Sequence, residues 1–138
     1  MCATPGSKPE VSELFFNPET KCCTYVPELP NYLVGRILAD GAPESTQGRE
    51  TVVARLRSGV GVSPLGIATP AVFEVLYKSA PVAFGRARSL RCPHSLEEGG
   101  RCGLWRYRAS VCATWYCKFE RGAVGRAFGK ALHQLLSA

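Results

Sequence analysis

RCPHSLEEGGRCGLWRYRASVCATWYC, residues 91–117, carries four of the chain's seven cysteines, Cys92, Cys102, Cys112 and Cys117. Its reading decides the fold, because deprotonated thiolates are the protein's best donors to zinc and iron–sulfur clusters. Four of them complete a tetrahedral zinc site or hold one cluster. The intervals of nine, nine and four intervening residues belong to neither a zinc ribbon nor a bacterial ferredoxin, so spacing leaves the metal open. Cys92-Pro93-His94 opens a loop, Glu97-Glu98-Gly99-Gly100 supplies a tight polar turn, and Cys102-Gly103-Leu104-Trp105 closes it, a path that returns to one ion. Trp105, Tyr107, Trp115, Tyr116 and Phe119 supply bulk that would keep water off the centre.

Further toward the N-terminus, Asn17-Pro18-Glu19-Thr20 reads as a turn delivering the adjacent pair Cys22 and Cys23. Neighbours in extended chain face opposite ways, so one of the two is expected to help close the same site. Cys2 lies in a Pro/Gly/Lys-containing tail and is treated as a bystander. Residues 1–9 have one lysine and no apolar run of the kind a secretory signal needs. No stretch approaches the roughly eighteen to twenty apolar residues of a spanning helix. We therefore expect a cytoplasmic chain without a membrane partner, and thiols kept reduced there more often bind metal than form structural disulfides.

The charge is uneven. From Arg86 to Lys130 ten Lys/Arg face three acids, a net +7 in a chain of net +6, so the remainder carries −1. Arg91, Arg101, Arg106, Arg108 and Lys118 all lie within four residues of a cysteine, where positive charge favours the thiolate. Much of this basicity reads as counter-charge for the site, which disfavours nucleic acid as its partner and leaves a metal ion, with a protein partner beside it.

With 46% hydrophobic and 20% charged residues, the 138-residue chain has the composition of one globular domain rather than a disordered one. Residues 1–12 are expected to form a flexible tail, with order beginning at Leu14, Phe15 and Phe16 and a single domain over 13–138. Leu33, Val34, Ile37 and Leu38 predict a short helix after Pro30. Residues 49–57 suit a second helix with Val52, Val53 and Leu56 on one face, or a strand through Thr51-Val52-Val53. The glycines of 59–66 lack the lysine and spacing of a phosphate loop. Thr69-Pro70 followed by Ala71, Val72, Val75 and Leu76 predicts a helix capped by threonine, with proline in its first turn, that ends near Ser79. Ala123, Val124, Ala127, Phe128, Ala131, Leu132 and Leu135 predict a last amphipathic helix packed behind the centre. The fold class expected is a mainly α, small irregular single domain organised around a Cys-ligated metal site.

Arg91-Cys92-Pro93-His94-Ser95-Leu96, Gly99-Gly100-Arg101-Cys102-Gly103-Leu104-Trp105, Arg108-Ala109-Ser110-Val111-Cys112 and Cys117 together resemble the bacterial zinc- or iron-chelating cysteine-cluster proteins of the YkgJ type. The pair Cys22 and Cys23 matches that family's adjacent N-terminal cysteines. Phe16 and Glu19 stand where the family's Cys-x-x-Cys-x-x-Cys-Cys pattern has further cysteines, and Ala109 stands where it has proline. The resemblance implies a metal site built from Cys22, Cys23, Cys92, Cys102, Cys112 and Cys117, with one centre rather than two.

The expected activity is binding of zinc or an iron–sulfur cluster in a structural or redox/sensing role. The alternatives are a metal-stabilised module that binds nucleic acid or an acidic partner, and a cluster-dependent or thiol enzyme. His94 and His133 are the only histidines and neither has a catalytic motif around it, so catalysis by this chain alone is not expected. His94 reads as a polar, partly exposed loop residue that could lend a nitrogen from beside Cys92. His133 reads as solvated, and Arg108 as a donor to the centre's sulfurs.

Overall fold

Leu33, Val34 and Ile37 recur at steps of one and three, and helix α1, Asn31–Ala39, buries all three while Leu38 stays exposed. The computed structural model that shows this describes residues 17, 20, 23–97, 100–114 and 122–137. The tail 1–12, Leu14 to Phe16, Cys22, Cys117, Trp115, Tyr116, Phe119 and the Glu98-Gly99 half of the polar turn lie outside the described residues.

The β-branched run at 51–53 resolves as helix: α2, Thr46–Ser58, buries Val52 completely and ends at Gly59. Tertiary burial of Val52 outweighs the modest helix cost of branched side chains. The helix begins three residues before the predicted start, through Thr46, Gln47 and Gly48, which carry no apolar periodicity to announce it. The glycines after α2 form a small antiparallel sheet of β1 (Leu29–Pro30), β2 (Val62–Ser63) and β3 (Gly66–Ile67) in the order β1-β3-β2. Leu29 pairs with Ile67 and Pro30 with Gly66. Gly66 sits at φ 137°, and a Cβ there would strike the Leu29 carbonyl oxygen, so only glycine fits. Leu29, Ile67, α1, Val52 and Leu104 form one core, which ties the cysteine segment to the helices.

The connection between α1 and α2 is organised by Asp40. Its carboxylate accepts bonds from Ser45 Oγ at 2.6 Å, the Ala42 N–H at 3.0 Å and the Tyr107 hydroxyl at 2.8 Å. These bonds, the Ser45 hydroxyl foremost, hold its pKa down at about 2. A carboxyl depressed by folding contributes stability above its unfolded pKa, near 4, that is lost as pH falls through the folded value. In urea unfolding from pH 4 to pH 2, the wild type is therefore expected to lose more stability than Asp40→Asn. Parallel losses would remove Asp40 from that role.

Helix α3, Ala71–Ser79, ends where expected, but its Val72, Val75 and Leu76 stripe is not its inner face. Val72, Val75 and Leu76 are exposed, and contact runs through Phe73 and Tyr77. The Tyr77 ring stacks on Tyr25 at 5.2 Å, and its hydroxyl accepts the Val26 N–H at 2.8 Å. Thr69 does not cap the helix. Its buried hydroxyl donates to the Val26 carbonyl at 2.8 Å, and Pro70 takes the N-cap position. The last helix, α4 (Gly122–Leu136), also departs from expectation. Gly125 and Gly129 are buried and Leu132 half-buried, whereas Val124 is 81% exposed and Phe128 and Leu135 are exposed as well. The glycine side allows close approach to the chain and leaves the large apolar side chains outward. A hydroxyl contact of 2.9 Å between Ser110 and Ser137 joins the end of α4 to the helical residues 110–114.

Candidate metal centre

Thr20 and Thr24, both fully buried, fix the N-terminal cysteine turn. Thr20 Oγ1 donates to the Gly85 carbonyl at 2.9 Å, and the Gly85 N–H donates to Thr24 Oγ1 at 2.6 Å. The Cys92 N–H then donates to the Cys23 carbonyl at 2.6 Å. Two cysteines 69 positions apart are thereby held backbone to backbone.

The loop beyond Cys92 closes as its glycine turn predicted. Ser95 and Cys102 form an antiparallel bridge, Gly103 N–H donates to His94 O at 2.8 Å, and Leu96 N–H to Arg101 O at 2.8 Å. Arg91 braces the turn through Nε to Ser95 Oγ at 3.1 Å and Nη2 to the Leu96 carbonyl at 2.9 Å. The start of α2 lies against this hairpin at Gly48, whose missing side chain leaves room for the Gly103 backbone.

One pocket of about 50 Å³ is lined by four of the six predicted ligands: Cys23 from the N-terminal turn, Cys92 and Cys102 from the hairpin, and Cys112 from the helical residues 110–114. Leu29, Pro27, Leu104, Ala109 and Val111 make its wall largely apolar. Cys92 is nearly buried, and burial pushes its thiol up to about 12. The His94 backbone bond opposes that rise, and the Cys112 and Cys102 sulfurs add to it. Among the described residues, no three Cys, His, Asp or Glu side chains are grouped to hold a metal ion as they stand. The donors share a wall without forming a coordination sphere. Cys22 and Cys117 lie outside the described residues.

His94 is the largest departure from the sequence reading. It is 1% exposed rather than a surface loop residue, and it lines the thiol pocket. Its Nδ1 lies 2.8 Å from Thr51 Oγ1, and its Nε2 is buried with no hydrogen-bond partner among the described residues. Leaving a buried acceptor unmet costs about 1–3 kcal/mol. Burial, together with the positive charge of Arg55, holds the imidazole down at about 4, so it is neutral at neutral pH.

Arg55 is the residue the sequence reading missed. On α2 it looks like a solvated helix arginine, yet it is 8% exposed, and only Nη2 is engaged, donating to the Ala68 carbonyl at 2.8 Å. Its Nε and Nη1 are buried without partners. It acts electrostatically on Cys92, favouring the thiolate. Nothing in the local sequence separates it from Arg57 two residues later, because its burial comes from packing distant in sequence.

Arg108 lines the pocket with its guanidinium 3.7 Å from the centroid of the half-exposed Trp105 ring. Arg106 instead faces outward, 3.5 Å from Glu44 and 3.8 Å from Asp40. His133 lies apart from the cysteine pocket, 3.3 Å from Ser137 Oγ through Nδ1. No family model, curated protein or solved structure matches the chain.

Proposed function

We propose that this chain is a cysteine-cluster metal protein resembling the YkgJ type, binding zinc or an iron–sulfur centre in a structural or redox/sensing role. The observation that supports it is the convergence of Cys23, Cys92, Cys102 and Cys112 on one apolar pocket, with the buried cation Arg55 within electrostatic range of Cys92. The donor chemistry fits. Thiolates select zinc and iron–sulfur centres, an apolar wall excludes competing water, and Arg55 offsets the negative charge that several thiolates bring. Because metal binding supplies free energy to folding, the donors need not be in coordination before the metal arrives.

Nucleic acid remains the less favoured partner, since Arg106 is already paired with acidic groups and Arg108 lies over an aromatic ring. Among the described residues, no helix is long and apolar enough to cross a membrane. A cytoplasmic site of action and a protein partner complete the proposal.

Metal analysis with a visible spectrum on anaerobically purified full chain tests it. About one zinc per chain without colour, or brown protein with stoichiometric iron and sulfide, is the expected result. Protein free of metal that takes up neither zinc nor iron on reconstitution would overturn it.

A further inference from the structure

The buried polar groups beside the thiols define which nitrogen of His94 carries a lone pair. Thr51 Oγ1 has one hydrogen and lies 2.6 Å from the Gly48 carbonyl, a partner that can only accept. The hydroxyl hydrogen is therefore spent there, and toward His94 the same oxygen accepts. Nδ1 must then be the protonated nitrogen, donating across 2.8 Å. Nε2 is left as a bare lone pair, buried and unpartnered, on a residue lining the pocket of four thiols. This is the second-sphere arrangement by which proteins fix a metal-binding histidine: the far nitrogen is tied to an oxygen so that the near one presents its lone pair.

We infer that His94 is itself a ligand, through Nε2, and that the centre is a mononuclear zinc site of one imidazole and three thiolates, with Thr51 as the residue that positions the ring. The inference rests on the metal reading proposed above and narrows it. Three thiolates on a divalent ion leave a net −1, and two guanidiniums offset it: Arg108 in the pocket lining and the buried Arg55 within electrostatic range of Cys92. Four lining thiols provide one more sulfur than the site needs.

X-ray absorption at the zinc edge on the zinc-loaded full chain reads the ligands directly. The expected first shell is three sulfurs at about 2.3 Å and one nitrogen at about 2.0–2.1 Å. A shell of four sulfurs overturns the inference while leaving the metal reading intact, as does brown protein holding iron and sulfide. Uptake of neither metal overturns both. Variants give an independent readout. His94→Ala is expected to weaken zinc binding at least about 100-fold, and Thr51→Val about 10–100-fold at unchanged stoichiometry. His94→Cys should restore zinc with an all-sulfur shell, which separates a lost ligand from a lost fold. Zinc affinity unchanged in His94→Ala would overturn the assignment.

Discussion

Cys92→Ser is expected to weaken metal binding at least about 100-fold, since the spare lining sulfur does not share the enclosed position of Cys92, and to lose most of the stabilisation that metal provides. Cys92 is the most enclosed of the four lining cysteines, and its backbone N–H anchors the Cys23 turn. The substitution keeps that backbone bond and nearly the same shape, so it removes the sulfur alone. Burial holds the metal-free thiol protonated, with a pKa of about 12, and the ion must displace that proton to bind. A hydroxyl in the same place is far harder to ionise, and zinc prefers thiolate. Unfolding should be followed with and without added zinc. At a free concentration one hundred times the wild-type dissociation constant, the wild type gains about 2.7 kcal/mol, and Cys92→Ser gains about 0.4 kcal/mol or less. Cys2→Ser, in the tail, should behave as wild type. A variant that still binds one zinc with a matching shift would exclude Cys92 as a ligand.

How much of this was legible in the sequence depended on whether the signal was periodic or long-range. Leu33, Val34 and Ile37 announce α1 because burial on one face imposes its own spacing. The α3 helix was equally visible, but not its orientation. Val72, Val75 and Leu76 form as good an apolar stripe as Phe73 and Tyr77, and only the Tyr25 ring and the Val26 N–H across the chain decide between them. In α4 the same ambiguity was resolved by Gly125 and Gly129, whose small size permits close approach although their hydropathy gives no reason for burial. Hydrophobic pattern identifies a helix more reliably than it identifies the helix's inner face.

The candidate site shows a parallel division. The cysteines stood out by residue type, and Cys23, Cys92, Cys102 and Cys112 do line one pocket. What chain spacing could not convey is that a histidine in a polar loop is fully enclosed, or that a helix arginine faces Cys92 from inside. Both follow from α2 lying against the hairpin of residues 94–103. Thr51 and Arg55 lie one turn apart on α2 with Val52 beside Thr51, and the helix's approach to Gly103 brings Thr51 against His94 and Arg55 within electrostatic range of Cys92 while Val52 enters the core.

That approach predicts a change of sign at Gly48. In an exposed helix, glycine to alanine stabilises by about 1 kcal/mol, because glycine loses the most backbone freedom on folding. At Gly48 the added methyl would occupy the space of the Gly103 carbonyl carbon and oxygen, and neither group can rotate away as a flexible side chain would. Relief requires α2 and the hairpin to separate. Overpacking of this kind costs about 1–3 kcal/mol, sometimes more, which exceeds the propensity gain. Gly103→Ala should be milder, since its Cβ would meet Gly48 Cα at 3.0 Å, the His94 carbonyl oxygen at 3.1 Å and the movable Leu96 side chain at 3.2 Å, all farther off than the Gly103 carbonyl group is from a Cβ at Gly48. Separation at Gly48 also draws Thr51 from His94 Nδ1, so zinc affinity should fall together with stability. Urea unfolding of the metal-free proteins and zinc titration of the folded ones measure the two effects separately. A Gly48→Ala protein more stable than wild type would show that propensity rules at this position and that the helix does not press on the cysteine hairpin.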